Sequence, residues 1–562
     1  MSQPPWIHSY PEYTRWDTSL PVYPVQQLLE NAAARWPDSA AVNFMGRTIG
    51  YAELDRLASQ AALGLQRLGV KPGVHVGLFL PNVPQYVIAF FAILKAGGTV
   101  VNYSPLDAQQ VLHHKIEDSC TDIIITVDAA ALYPQMHPML DSTRLKRLVV
   151  ASIADFSGAP AEVNTQLAKA GQLAEVFFSE RCIPFSELLG NDGRYQHTRT
   201  DPAQTLAVLQ YTGGTTGLPK GAMLTHANLC AASGQAMATN VDNNKLLHEG
   251  RERFLVALPL FHIYALIMDM LLGIRIGAEL TLMLKFDPAA ATREIARRRI
   301  TVFPGVPTMF TAVITQPDVA EFDLRSLKVC ASGGAPLPVE LLHRFQALTG
   351  CKLTEGWGMT ETTAAGTFTP TLGRHKPGSC GIPQPGTLIR FLDVEHPGRT
   401  LPLGQRGEIA ISGPQVMKGY WNHEHSTDLT PDGFFITGDV GYMDEDGFIY
   451  IVDRTKDMLL CSGYNVYPRV IEEALYTHPA VEEVLVIGVP DAYRGQAPKA
   501  YMKLRAGHPP LTLDDVKEFL RDKIGKHEMV QAIELRDALP KTPVGKLSKK
   551  DLRDELASTP SA

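Results

Sequence analysis

The chain has 562 residues, 45% of them hydrophobic and 20% charged, and a formal net charge of −7. That length is too great for one hydrophobic core, so two or more domains of ordinary soluble composition are expected. The acidic balance, with no basic stripe interleaved with aromatics, excludes the electrostatic footprint of a nucleic-acid binder.

Seven cysteines lie scattered at 120, 182, 230, 330, 351, 380 and 461 with no CxxC pair. This argues against a zinc site and a disulfide framework and fits a reducing, cytoplasmic setting. The opening residues, Met1-Ser2-Gln3-Pro4-Pro5-Trp6, lack the basic and apolar regions of a signal peptide. The longest apolar runs, such as 87–94, fall short of the roughly 18 residues of a membrane span. Peripheral contact with the inner face of a membrane and a homodimer stay open.

Residues 1–22, rich in Pro, Tyr and Trp, read as an irregular arm draped over the body. Apolar spacing predicts helices over 25–34 and 51–68, the second ending at Gly69 as a C-cap. A buried strand follows at 75–80, then a helix at 85–96 and strands at 99–103, 122–127 and 147–151. Residues 153–200 read as a polar, irregular surface insertion. Beyond it, strands at 206–209, 254–258, 279–284 and 327–331 alternate with helices at 265–272 and 289–299. Such alternation indicates an α/β domain around a largely parallel sheet. Arg297-Arg298-Arg299 complement a helix dipole, with a coenzyme A phosphate contact as the alternative. Over 378–451 short strands with Gly, Pro and Asp turns point to an antiparallel or β-barrel-like part. The last hundred residues form an α+β pattern: helix 469–476, strands 481–489 and 500–504, and helix 513–524.

The chemistry concentrates in a few stretches. In Tyr211-Thr212-Gly213-Gly214-Thr215-Thr216-Gly217-Leu218-Pro219-Lys220-Gly221, three glycines and three threonines fill six consecutive positions. Glycines turn backbone N–H groups inward, threonine hydroxyls add donors, and Lys220 supplies a point charge for phosphate oxygens. A Walker A loop is excluded because Leu218-Pro219 separate the last glycine from the lysine. A polar turn between strands is the plainer alternative. The order T-G-G-T-T-G-x-P-K-G resembles the phosphate loop of the adenylate-forming enzymes, which include acyl-CoA synthetases, luciferases and peptide-synthetase adenylation domains.

A second block, Thr354-Glu355-Gly356-Trp357-Gly358-Met359-Thr360-Glu361, sets an aromatic between glycines ahead of a Thr-Glu pair. The aromatic face suits a flat base, and the carboxylate suits Mg²⁺. The order resembles the same family's G-[YW]-G-x-T-E motif, which implies adenine stacking for Trp357, phosphate contact for Thr360 and Mg²⁺ binding for Glu361. In a third block, Thr437-Gly438-Asp439 and Asp453-Arg454-Thr455-Lys456-Asp457 resemble T-G-D…D-R-x-K-D, implying Asp439 on the ribose and Arg454 on the nucleotide. Read alone, much of this third block is a pair of hairpins with Asp-Gly turns. The glycine turn Gly333-Gly334-Ala335 ends a strand and is a candidate binding edge.

Leu258-Pro259-Leu260-Phe261-His262-Ile263-Tyr264-Ala265 resembles the family's P-x-F-H segment, implying that His262 neighbours the carboxylate or adenylate. Some fatty-acid-specific relatives carry a tryptophan gate four residues later; this chain has Leu266, so that gate is not carried over. Ser462-Gly463-Tyr464 resembles the loop that approaches the site for the second half-reaction, where glycine lets backbone pass a thin pantetheine arm. Pro540-Lys541-Thr542-Pro543-Val544-Gly545-Lys546 resembles P-x-T-x-x-G-K, implying that Lys546 enters during adenylation. The neighbouring Lys549 and Lys550 read as solvated surface charges.

The resemblance covers nearly the whole chain and implies a large N-terminal domain at 1–453 and a small mobile C-terminal domain at 454–562, hinged at 454–457. It implies an enzyme that joins a carboxylic acid to coenzyme A through an acyl-adenylate, using ATP and Mg²⁺ and releasing AMP and pyrophosphate. The closest look is to bacterial long-chain fatty acyl-CoA synthetases. A medium-chain, dicarboxylic or aryl acid ligase, a luciferase-like oxygenase and a non-catalytic adenylate-binding relative are the alternatives. A peptide-synthetase module would be expected to continue into a carrier domain.

Overall fold

A computed structural model of the chain describes residues 4–212, 219–242, 246–335, 337–396, 398–423, 428–461, 464–491, 493–541 and 547–558. Two seven-stranded, mainly parallel sheets carry the body. One orders its strands Cys182–Pro184, Arg147–Ala151, Thr121–Val127, His75–Leu78, Thr99–Asn102, Leu206–Tyr211 and Gly221–Thr225. The other runs Leu353–Glu355, Val329–Ser332, Val302–Gly305, Arg253–Val256, Glu279–Leu282, Ala40–Phe44 and Arg47–Gly50. Each closes with one antiparallel edge pair, Leu206–Tyr211 against Gly221–Thr225 and Ala40–Phe44 against Arg47–Gly50.

One continuous apolar core serves both sheets. Helix Pro84–Lys95 is buried at every position, which explains why its sequence is apolar on all sides rather than striped. Its one cation, Lys95, is paired with Glu30 at 3.0 Å and Asp55 at 2.9 Å, since a buried ammonium needs partners. Helix Tyr51–Arg67 is stopped by Gly69 at φ +94°, a backbone region that costs glycine nothing.

Two predicted elements differ from what forms. The insertion at 153–200 is not wholly irregular: helix Pro160–Lys169 and strand Cys182–Pro184 form within it, and the strand extends the first sheet in parallel with Arg147–Ala151. Only three residues long, it carries too little alternation to be read from sequence. The single helix predicted over 265–272 is a composite, an α-turn at Ile263–Ala265, a π-helical turn at Leu266–Leu271 and a further α-turn at Leu272–Arg275.

Beyond the second sheet, Leu388–Leu392, Gly407–Ser412, Phe435–Met443 and Ile449–Arg454 form a four-stranded antiparallel sheet. The N-terminal arm docks there as expected, with Trp6 buried in that sheet's core and the Ser9 hydroxyl donating to the Asp446 carbonyl at 2.7 Å. The C-terminal part has its own core and sheet, in which Val481–Asp491 pairs with Gly495–Leu504 and Ala532–Leu535 lies parallel beside the latter. Helices Pro468–Tyr476, Leu513–Leu520 and Lys549–Ser558 accompany it.

Candidate active site

The glycine-threonine loop joins two antiparallel strands that pair as far as Tyr211 and Gly221, and the Thr212 N–H donates to the Lys220 carbonyl at 2.9 Å. Gly213, Gly214, Thr215, Thr216 and Gly217 lie outside the described residues, as do Gly463 and Lys546. The stretch thus lies between two paired antiparallel strands.

A run not singled out by sequence, 417–421, binds this stem to the second motif. Met223 N donates to Gly419 O at 2.9 Å, Trp421 N to Gly221 O at 2.8 Å, and Met417 N to Glu361 O at 2.8 Å. Tyr420 is thereby set between Lys220, whose ammonium lies 5.0 Å from its ring centroid, and Glu361, which accepts its hydroxyl at 2.5 Å. Glu361 is 6% exposed. Burial pushes its carboxyl up, while the Tyr420 hydrogen bond and the Arg454 charge draw it back toward ionisation. Burial and Glu361 together hold the Tyr420 phenol protonated, so it donates. The signal for Tyr420 in the sequence was only the Met-Lys-Gly-Tyr run itself, whose partners lie far away in the chain.

The Trp357 block doubles back on itself. Gly366 N and Thr367 N both donate to the Trp357 carbonyl, at 3.0 and 2.8 Å. A Cβ at Gly358 would stand 2.0 Å from the Ala364 oxygen, and one at Gly366 would stand 2.6 Å from the Trp357 ring. Only glycine permits both approaches. Thr363 and Ala364 take φ of +49° and +65°, backbone strain of the kind that gathers at functional sites. The Trp357 indole N–H donates to Asp439 Oδ2 at 2.7 Å, and Arg454 Nε lies 3.2 Å from Oδ1 of the same carboxylate. Asp439 and Arg454 face each other across neighbouring antiparallel strands. Asp439 is buried, whereas the Arg454 side chain is 57% exposed.

Gly333 and Gly334 follow strand Val329–Ser332, with Gly334 at φ +76° and Ala335 next to it. Gly333 N donates to Gly305 O at 3.1 Å, and Gly356 N to Ser332 O at 3.2 Å, so three strand ends meet at one edge. Glu355 lies there too, accepting the Leu337 N–H at 3.3 Å. Although part of it meets solvent, burial pushes its carboxyl up to about 8, with the Arg469 charge opposing. Thr360 opens the short helical turn that carries Glu361, and the Met359 N–H at its start donates to the Thr362 hydroxyl at 3.0 Å.

His262 caps the composite helix, its Nδ1 accepting the Tyr264 N–H at 3.2 Å. Tyr264 donates to Ala331 O at 2.8 Å, and its ring lies where a Cβ on Gly333 would come within 3.0 Å. A buried polar network absent from the predicted set holds this segment. Asn82 donates to Leu258 O at 2.9 Å and accepts from Leu260 N at 2.8 Å; Tyr86 donates to Leu260 O at 2.9 Å; Gln210 donates to Phe261 O at 2.9 Å. Because Gln210 stands on strand Leu206–Tyr211, one side chain ties that strand to the segment 258–261.

In the C-terminal part, Tyr464 is 62% exposed and its ring centroid lies 5.4 Å from that of His527. Lys549 departs from expectation. Helix Lys549–Ser558 turns it inward, 3.1 Å from Glu472, with its side chain only 15% exposed, whereas Lys550 is half exposed and pairs with Asp554. Arg297 pairs with Glu294 at 2.7 Å and Arg298 with Glu279, so these two arginines are engaged by carboxylates of the chain. Among the described residues no group of three His, Cys, Asp or Glu side chains is placed to hold a metal ion. A single carboxylate still fits Mg²⁺, which keeps waters and takes other ligands from substrate phosphates.

Fold and edge together define a nucleotide-handling α/β body with a small α+β companion. The chain belongs to the AMP-binding enzyme family, whose model matches residues 29–421 and whose C-terminal domain model matches residues 470–546. It is 38% identical over 558 residues to a long-chain-fatty-acid–CoA ligase of Bacillus subtilis, covering 99% of this chain and 98% of that one. It is 32% identical over 520 residues to 4-coumarate–CoA ligase 2 of Petroselinum crispum, covering 91% and 90%. The crystal structure of ATP-bound MatB from Rhodopseudomonas palustris superposes with a TM-score of 0.81 at 27% identity, over 95% of this chain and 99% of that one.

Proposed function

We propose that this chain is an AMP-forming acid–thiol ligase that converts a long-chain fatty acid to its coenzyme A thioester. The observation that carries the reading is the joined pair of clusters, Trp357–Asp439–Arg454 and Glu361–Tyr420–Lys220, at the stem of the glycine-threonine loop.

In the first half-reaction the carboxylate attacks the α-phosphate of ATP, and pyrophosphate leaves. Trp357 offers a face to adenine, Asp439 accepts the ribose hydroxyls, and the loop N–H groups with Lys220 and Thr360 spread the phosphate charge. Glu361 would hold Mg²⁺, which when bound neutralises charge between two approaching anions. His262 stands at the acid's carboxyl end, on the segment that Asn82, Tyr86 and Gln210 keep in place. Lys546 serves the first step. In the second, rotation about 454–457 brings Gly463 and Tyr464 to the site, and the thiol displaces AMP. Gly333, Gly334 and Ala335 border the acyl end, with Tyr264 against Gly333.

The long-chain substrate is supported by the Bacillus subtilis relative and by the apolar residues around His262. An aryl acid is the second reading, favoured by the Petroselinum crispum relative and by a flat Tyr264 ring beside a glycine. AMP and pyrophosphate release is measured with coenzyme A and acids from short to long chain, plus benzoate and cinnamate. Peak activity on long chains supports the proposal; a peak on cinnamate replaces the substrate and keeps the mechanism; release with no acid overturns it.

A further inference from the structure

The chain leaves Glu361 through a strained turn. Thr363 and Ala364 stand at φ +49° and +65°, a left-handed backbone that is an outlier for a β-branched residue such as threonine. Glycine would adopt it freely at either position. Glycines do occur close by, at 358 and 366, where a Cβ would collide with Ala364 and Trp357. At 363 and 364 the conformation is instead imposed on side-chain-bearing residues, so something outside the turn must hold it.

Gln415 supplies that hold. Its carbonyl accepts the Thr363 hydroxyl at 2.7 Å, and its side-chain Nε2 donates to the Ala365 carbonyl at 2.9 Å. One residue therefore ties down the strained pair on both sides. Gln415 is fully buried, and the rest of its amide is also engaged: Nε2 donates to Thr387 Oγ1 at 2.8 Å, and Oε1 accepts from Gln235 Nε2 at 3.1 Å. Two positions on, Met417 N donates to Glu361 O at 2.8 Å, so 415–417 meets 361–365 at three points. Helix His226–Asn240 fixes the clamp in turn. Asn228 donates to Pro414 O at 2.9 Å and to Val416 O at 2.8 Å, and Gln235, seven residues further along the same helix face, reaches Gln415.

We propose that Gln415 is a positioning residue for ATP, holding the strained turn at 363–364 and through it the spacing between Glu361 and Trp357. The inference rests on the ligase reading above. The turn is the short path between those two groups. Within it Ala364 N donates to Met359 O at 2.9 Å, and Gly366 N donates to Trp357 O at 3.0 Å. Relaxing 363 and 364 to a right-handed backbone would break this return path and displace both ends. Being fully buried, Gln415 acts through the turn and not on a ligand. Such a device is preorganisation: the nucleotide meets groups whose geometry is fixed before it arrives.

Calorimetric titration with MgATP in the absence of acid, together with the KM for dodecanoate, tests this on the full chain. Gln415→Met keeps the side-chain length and removes its hydrogen bonds; the Kd for MgATP should weaken about tenfold, the scale of one lost hydrogen bond. The KM for dodecanoate should stay within about twofold, since the acid is bound elsewhere. The double variant Gln415→Met/Ala364→Gly should bind MgATP to within about threefold of the wild type, because glycine holds the left-handed turn without help. A general loss of packing would weaken both substrates alike and would not be mended by glycine. Should methionine not be accommodated, Thr363→Val keeps the threonine's shape, removes its bond to Gln415, and should show the same loss and the same recovery with Ala364→Gly. An unchanged Kd in the single variant, or no recovery in the double, overturns this inference alone. A wild type that binds no MgATP overturns it together with the ligase reading.

Discussion

In the clusters around Trp357 and Tyr420 each buried acid has partners from the chain itself: Asp439 has Trp357 on one oxygen and Arg454 at the other, and Glu361 has Tyr420. In the π-helical turn Leu266–Leu271, Asp269 has none among the described residues. Both sites are buried, so the difference lies in preorganisation. Carboxylates that meet the same ligand at every turnover are held in geometry before it arrives, which removes reorganisation from the reaction. A buried acid without such a partner keeps its full hydrogen-bonding capacity unspent.

The largest effect should come from Lys546→Ala, expected to slow adenylation by about two orders of magnitude or more, as loss of a preorganised charge does. Transfer from supplied acyl-adenylate to coenzyme A should remain. Pyrophosphate exchange and thioester formation, measured separately, check this, and an equal loss in both would remove the lysine from its assigned step.

Asp439→Ala next tests the preorganised half of the comparison. It strips a partner from both Trp357 and Arg454, and losing a charged hydrogen bond costs about 1.5–3 kcal/mol. The KM for ATP should therefore rise roughly ten- to a hundredfold, while the KM for the acid stays near its original value. Titrating each substrate separately decides it.

Tyr420→Phe should have a smaller effect with a characteristic pH signature. The tyrosine hydrogen bond counters the upward push of burial on Glu361. Without it the folded-state pKa rises further, the ionised form is reached at higher pH, and the acidic limb of the kcat profile moves upward. A limb that stays in place would show that Glu361 ionisation does not govern the step.

The smallest effect at neutral pH concerns His226, which begins the helix packed on the Asp269 turn and, unlike Asp269, has an internal partner: it accepts the Val25 N–H at 3.0 Å. Burial lowers its pKa to about 4. Its folded pKa lies below its unfolded value, so its contribution is full above about 6.5 and is lost as pH falls toward 4, by up to about 3 kcal/mol. Thermal melts of His226→Gln against wild type should differ by about 1 kcal/mol at neutral pH, and the wild type should lose its advantage on acidification. Parallel melting curves across that range would exclude the histidine from the acid response.

Much of the site was legible in the sequence because short-range order carries it. The glycines around Trp357 admit close backbone approaches, the Thr-Glu pair follows at fixed spacing, and Asp439 and Arg454 fall on strands whose turns are written in Asp-Gly pairs. Alternating apolar runs likewise specified the α/β body and the α+β end, since helix and strand periods are local properties of the chain. Tertiary structure alone decided the partners. Tyr420 reaches Glu361 across 59 positions, Gln210 reaches Phe261 across 51, and Lys549 turns inward to Glu472, because each contact depends on where separate elements pack. The same holds for Asp269: its residue type stands in the sequence, but that it is buried with no hydrogen-bond partner among the described residues is a property only the packed turn possesses.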